Sequence, residues 1–303
     1  MSAPARQRSD QAPEAAESMS PRESKASERT DPKRKAGDAL YVYCVGGAED
    51  LSKTIEKDCP GAIEAEARIE LVSSGTLAAV VSAVPRSDYA EEVLESRLAD
   101  PEWTAVRAIR HERVVEFFAA RAAVVPLRFG AIYFKSSGVK LMLEEREEEL
   151  KAIVGRLRGR EEWGVTIFRD RAMLLKAVTS LSERLRALEA RAAAAFAGEA
   201  YLLRKEIESS LADEARIESK RVAGLIEHGL AAASDAEKRL RVLKPEPSAR
   251  GDIVAKMAFL VSRSRFSEFR AAAEQLAAEH GAAGFQIELT GPWPAYNFAS
   301  EQQ

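Results

Sequence analysis

The stretch that most limits what this chain can fold into is Val124–Phe134, VVPLRFGAIYF, in which Arg128 is the only charged residue. A run this short and this apolar reads as a buried strand rather than a helix. Pro126 has no N–H for a sheet ladder, so it belongs at the start of the strand or on an edge. Gly130 predicts a bulge or a close backbone approach before Ala131–Phe134 continue extended. A guanidinium inside such a run needs a partner or an exit to water. Arg128 is read as a paired structural arginine, with a ligand-binding arginine as the alternative.

Sequence with sheet character precedes this stretch. Leu40–Val45, LYVYCV, is apolar on both faces and bounded by Gly46-Gly47, the pattern of a central strand. Asp50–Lys57 reads as a short helix. Ile69–Val72 and Leu77–Val84 read as strands joined by Ser73-Ser74-Gly75-Thr76, a hairpin signal with a glycine for positive φ. Asp88, and then Asp100-Pro101-Glu102, open two helices. The second, Glu102–Arg121, carries Trp103, Val106, Val114, Phe117 and Phe118 on a broad apolar side. Strand, helix, strand, strand, helix, strand is the split βαβ, ferredoxin-like order, which predicts one sheet with helices on one face across residues 38–135.

Residues 136–303 read as an α+β domain. Ser136 or Ser137 caps a helix to about Arg158, with Leu143, Leu150, Ile153 and Leu157 as its buried stripe. Val165–Phe168 is a short strand. Leu174, Val178, Leu181, Leu185, Leu188, Ala192 and Ala195 then alternate spacings of four and three, the seam of a coiled coil. After Gly198 a second helix, Glu199 to about Ala233, completes a coiled-coil pair over about residues 171–233. Lys256–Val261 and Phe285–Leu289 read as strands, with a helix at Phe266–Glu279 between them. At the other end of the chain no Leu, Ile, Val or aromatic residue occurs before Leu40, so residues 1–37 read as a disordered polar tail.

A net charge of −3 and the absence of aromatic–basic interleaving give no footprint for nucleic acid, and no apolar run is long enough to span a membrane. Cys44 and Cys59 have no metal-ligand spacing, and with no secretory signal the chain is expected in the cytoplasm. His111, His228 and His280 are far apart, and His111 reads as a half-buried packing residue beside Val115 and Phe118. Phosphate-binding and nucleophile-elbow motifs are missing, so no cofactor and no catalytic role is expected. The last feature is Gly291–Phe298, GPWPAYNF, whose prolines hold Trp293, Tyr296 and Phe298 in an extended segment. These aromatics either seal an apolar edge or anchor a partner.

Taken together, LYVYCV, the pair His111-Glu112 before VVPLRFG, AYLLRK at Ala200–Lys205, AFLV at Ala258–Val261 and the terminal TGPWPAYNF make the chain resemble the gas vesicle protein F/L family from Leu40 to Ala299. Family members often carry a second proline at the position of Ala295. The resemblance implies a ferredoxin-like front domain, an α+β domain with a coiled-coil motif, and a non-enzymatic role in building gas vesicles. The implied partners are the very hydrophobic shell protein and other accessory vesicle proteins, with a minor wall component on the gas-facing side as the alternative. The residues singled out for partner contact or structure are Phe117, Phe118, Pro126, Leu127, Arg128, Phe129, Gly130, Trp293, Tyr296 and Phe298. Residues 38–135 are expected to hold the shell protein, and the charged helical pair to serve solubility.

Overall fold

A ten-residue strand, β1 (Asp38–Gly47), runs through the middle of the first sheet and sets its layout. The computed structural model describes residues 38–242 and 250–300, so the tail read at residues 1–37 lies outside the described residues. After the helix α1 (Ala48–Ile55), β2 (Ile69–Ser74) and β3 (Leu77–Pro85) form the expected hairpin, with Gly75 at φ +57 in the two-residue turn. Helices α2 (Arg86–Tyr89), α3 (Glu91–Leu98) and α4 (Pro101–Ala119) follow. Asp100 caps α4 by accepting the N–H groups of Glu102 and Trp103 at 3.0 and 3.2 Å. Asp88 opens no helix; it accepts a bond from Arg97 Nη2 at 2.6 Å.

The Val124–Phe134 run is two short strands rather than one. β4 (Val124–Pro126) and β5 (Ile132–Tyr133) both pair antiparallel with β1, giving the order β2-β3-β1-β4 with β5 also on β1. Both faces of β1 are buried. Leu40, Val42 and Val45 enter one core, while Ala39, Tyr41, Tyr43 and Cys44 enter another with Val114, Val115 and Phe118 of α4. A strict two-residue period cannot put Tyr43 and Cys44 on the same side. An irregularity in the β1–β3 register between Val42 and Cys44 resets the alternation.

The expectation of helices on one face is therefore corrected. α5 (Ser136–Glu145) and α6 (Glu147–Leu157) cover the opposite face from α4, with Val139, Leu143, Leu150 and Ile153 packed beside Leu40 and Val42. They are also two helices where one was expected, because the backbone breaks at Arg146 with φ −111 and ψ 20. Neither Ser136 nor Ser137 caps the first of them.

The second sheet has the order β7-β8-β6-β9, antiparallel throughout, from β6 (Arg160–Arg169), β7 (Ala236–Leu240), β8 (Asp252–Ser262) and β9 (Phe285–Trp293). On its outer face lie α10 (Phe266–Gly281) and a helical pair. The first limb of the pair is α7 (Arg171–Leu181) and α8 (Glu183–Ala194), where the seam predicted one helix. Ser182 leaves helical geometry at ψ 121, and its Oγ accepts the N–H of Leu185 at 3.2 Å and donates to the buried Glu214 at 2.8 Å. The second limb is α9 (Ala197–Ala231), whose Leu203, Val222, Ile226 and Leu230 meet Leu174, Val178, Leu185 and Leu188.

Strand β8 ties the two sheets together. Its Ala255, Met257, Phe259 and Val261 pack under the helical pair, while Ala258 and Leu260 face the other way into the core that holds Leu40, Val42 and Leu143. Each large aliphatic side chain buried in this way contributes about 1.5–3 kcal/mol relative to exposure. The core of the first sheet thus runs across the boundary placed at residue 135 and into the second sheet.

Candidate partner-binding site

The stretches singled out in the sequence converge where the β4–β5 edge, α4 and the end of the chain meet. Between the pairs Cys44–Pro126 and Tyr41–Ile132, two residues of β1 face five on the other strand, Leu127 to Ala131. The ladder resumes at once on either side, through Leu127 N–H to Tyr43 O at 2.9 Å and Val42 N–H to Ala131 O at 2.8 Å. Arg128, Phe129 and Gly130 are therefore extruded as a bulge. Gly130 takes φ +95, a conformation that side chains disfavour, and its N–H donates to Tyr41 Oη at 3.1 Å.

Tyr41 starts a buried relay. Its Oη lies 2.9 Å from His111 Nδ1, His111 Nε2 lies 3.2 Å from Tyr296 Oη, and Tyr296 donates to Glu112 Oε2 at 3.0 Å. The proton positions follow from the donor count. Tyr296 gives its one proton to the Glu112 carboxylate, so it accepts from Nε2–H. Nδ1 then accepts from Tyr41, whose oxygen accepts from Gly130. His111 is 3 % exposed, not half-buried, and burial pulls its pKa down from 6.5 to about 4, which keeps the ring neutral as the relay requires. Burial likewise pushes the Tyr41 and Tyr296 hydroxyls and the Glu112 carboxyl upward. Tyr43 stacks on the imidazole with centroids 5.8 Å apart, and the Phe129 ring lies 5.9 Å away edge-on.

The C-terminal segment after β9 lies across this relay as a strap. Asn297 N–H donates to Glu162 Oε2 at 3.0 Å, and the Asn297 side-chain amide takes the other oxygen. Glu162 is buried in β6, which pushes its carboxyl upward, an effect its Asn297 bonds oppose. Phe298 fills the core shared by the sheets, and Arg156 Nη2 holds the carbonyls of Phe298 and Ser300 at 2.6 and 2.9 Å. Of the three aromatics, Trp293 at the end of β9 is the one that turns outward, 46 % exposed, with Nε1 donating to Thr290 Oγ1 at 3.2 Å. The strap thus seals through Tyr296 and Phe298 and displays through Trp293.

The remaining singled-out residues divide in the same way. Pro126 is buried and Leu127 packs half-buried against the shared core. Phe118 is fully buried and offers no surface, while Phe117 is half-buried under the Arg121 guanidinium, 4.0 Å from the ring centroid. Arg128 corrects the sequence reading: it is exposed on the bulge and has no hydrogen-bond or ion-pair partner among the described residues. His111 and Glu162 were missed as organising residues. The available signal was two tyrosines two apart in an otherwise apolar strand, whose hydroxyls need partners once buried.

Clefts flank the strap, one of about 300 Å³ among them lined by Glu112, Glu162, Trp293, Tyr296 and Asn297. A cleft of about 670 Å³ lies between the end of α4, the α6–β6 turn and Trp293, where three of its arginines are ion-paired, Arg158 on Asp50 at 3.5 Å, Arg160 on Asp235 at 3.4 Å and Arg263 on Glu161 at 3.0 Å, and Arg121 lies on the Phe117 ring. A smaller one of about 270 Å³ lies between the bulge and the strap, beside Arg128. Large apolar side chains also face solvent elsewhere, singly at Phe134, Leu141, Met173, Ile217 and Leu225 and grouped in two places. Leu98, Val106 and Ile109 do so on α3 and α4, and Phe196, Tyr201 and Leu202 at the turn between α8 and α9, where Phe196 is 91 % exposed. Among the described residues no cluster of three or more His, Cys, Asp or Glu could hold a metal ion, and no helix is long and apolar enough to cross a membrane.

Comparison with known proteins agrees with the resemblance read from the sequence. Residues 39–300 match the family described as gas vesicle synthesis protein GvpL/GvpF. Gas vesicle protein L of Streptomyces sp. (strain CB03234) is 29% identical over 233 residues, 76% of this chain and 82% of that protein. Gas vesicle protein L2 of Halobacterium salinarum is 25% identical over 291 residues, covering 93% and 97%. The crystal structure of GvpF from Anabaena sp. PCC7120 shares the fold, with a TM-score of 0.61 at 18% identity over 88% of this chain and 98% of that one.

Proposed function

This chain belongs to the gas vesicle synthesis protein GvpL/GvpF family, and on that footing we propose that it is a non-enzymatic assembly protein that holds the apolar shell protein and meets other accessory vesicle proteins during gas vesicle formation. A protein that keeps an apolar client from polymerising needs exposed apolar surface on a body that stays soluble. The observation that carries this reading is the outward strip Leu98, Val106 and Ile109 on the front lobe, with Val106 and Ile109 one helical turn apart on α4. The same lobe has β2 at the end of its sheet.

A second reading places the client at the tip of the helical pair. Phe196, Tyr201 and Leu202 support it, and Tyr201 and Leu202 lie within AYLLRK. The full chain is the right reagent for deciding, because residues 38–135 alone would strip Leu40, Val42 and Val45 of the cover given by α5, α6 and Phe298. Light scattering of refolding shell protein is the assay. The parent should delay aggregation, Val106→Lys/Ile109→Lys should lose that protection, and Phe196→Ser/Leu202→Ser should keep it. The reverse pattern would move the client to the tip, and an inactive parent would sink the assembly reading. Fractionation separates the wall-component alternative, since an assembly protein stays soluble and a wall protein remains on vesicles after stringent washing.

A further inference from the structure

Arg128 is held in place by more of the fold than an idle surface residue would be. Three extra residues leave the edge of the sheet at this point, and the buried relay fixes the far end of the excursion through Gly130 and Tyr41. Phe129 turns inward to Tyr41 and His111, with ring centroids 6.0 and 5.9 Å away. The residue before it is left projecting with no partner. The small cleft beneath it is lined by half-buried Leu127 over buried Val45, Val125, Met142 and Leu150, and across from them by Arg146, Tyr296 and Ser300.

The neighbouring cations are already committed. Arg146 is bound by Glu149 through two bonds of 2.8 Å, and Arg156 is occupied by the two strap carbonyls. The Arg128 guanidinium is the uncommitted charge at this cleft, and its planar fork matches a carboxylate bidentately. About 270 Å³ lies below the roughly 300–1,000 Å³ usual for small-molecule sites, so the space suits a side-chain group of a protein better than a cofactor. Strand addition along this edge is blocked, because Pro126 lacks an N–H and the bulge interrupts the ladder. A partner must therefore enter by its side chains.

We propose that the cleft beside Arg128 receives an apolar segment of the shell protein that carries one aspartate or glutamate, the aliphatic part lying on Val125 and Leu127 and the carboxylate pairing with Arg128. This rests on the assembly reading, and it names a contact that reading leaves open. The unpaired cation above an apolar floor selects for that combination, since a purely aliphatic segment gains nothing from the guanidinium and a purely acidic one gains nothing from the floor.

The test uses the full chain and overlapping synthetic peptides covering the shell protein, with capture of the intact shell protein in parallel. The parent should bind peptides in which a carboxylate sits among apolar residues, and replacing that Glu or Asp by its amide should weaken binding at least tenfold. Arg128→Gln should weaken the carboxylate peptide by the same factor, leave the amide peptide unchanged, and remove the salt dependence of binding. Ala299→Trp, which fills the cleft from the strap side, should abolish peptide binding while circular dichroism shows the chain still folded. If the parent captures no shell protein, both the assembly reading and this inference fail. If it does, and Arg128→Gln captures equally well, this inference alone fails. A shift of Arg128→Gln from dimer to monomer on size exclusion, with shell-protein capture intact, would assign the cleft to a second copy of the chain and overturn it as well.

Discussion

Replacing Tyr296 with Phe removes one oxygen and changes the packing least, which makes it the sharpest probe of the relay. Two groups lose a partner: the His111 Nε2–H, 3.2 Å from the hydroxyl, and the Glu112 carboxylate, 3.0 Å from it. Glu112 is half-buried and can turn to water, but His111 is 3 % exposed and cannot. Leaving a buried N–H unsatisfied costs about 1–3 kcal/mol. For a chain of this size that corresponds to a fall of about 2–4 °C per kcal/mol, hence about 4–8 °C for the middle of the range. Thermal unfolding followed by circular dichroism reads it directly. The reasoning makes a second demand. His111→Leu also removes the orphaned donor, so the double variant His111→Leu/Tyr296→Phe should be more stable than the two single losses added together predict, by about 1 kcal/mol or more. Additive losses, or a Tyr296→Phe variant within a degree of the parent, would show that the relay holds nothing.

Other outcomes follow from the same geometry. Because folding lowers the His111 pKa from 6.5 to about 4, the unfolded chain binds the proton more readily between these values. The contribution of the neutral ring is complete above about pH 6.5 and is lost as pH falls toward 4, about 3 kcal/mol over the whole window. Glu112 and Glu162, with raised pKa values, push the other way, so the stability difference between parent and His111→Gln across pH is the quantity to measure. Ser182→Ala removes both the cap of α8 and the donor to buried Glu214, and urea unfolding should show a loss of about 1–2 kcal/mol. Arg128→Leu should stay within about 0.5 kcal/mol of the parent in the same assay, since the side chain is exposed and unpartnered.

The opening strand, the 69–85 hairpin and the Asp100 cap were legible because their signals are local: an apolar run, a glycine in a turn, a carboxylate before a proline. Strand β6 was foreseen only over Val165–Phe168, because Arg160, Glu161 and Glu162 interrupt the apolar pattern at its start. Glu162 is tolerated inside by Asn297, which lies 135 residues away and which no local pattern announces. Strand β7, AEKRL, went unseen because three of its five residues are charged, as suits an edge that must not recruit other strands. The break at Ser182 was hidden by a seam that continues in register across it. At the candidate site, the residues of VVPLRFG and GPWPAYNF were picked out, but their juxtaposition was not visible. Nor was the direction of Arg128, because a bulge of three residues reverses which side chains face in, and a strand pattern cannot report it.

Because Phe298 sits in the same core as Leu40, that core cannot close fully until the whole stretch of chain between them has been made. At about 5–20 residues per second, synthesis separates the two by roughly 10–50 s. Through that interval Leu40, Val42 and Val45 await cover from Phe298, in a protein proposed to give such cover to another. A stop just before the strap would therefore damage the part of the fold made long before it, leaving the core around Leu40 open.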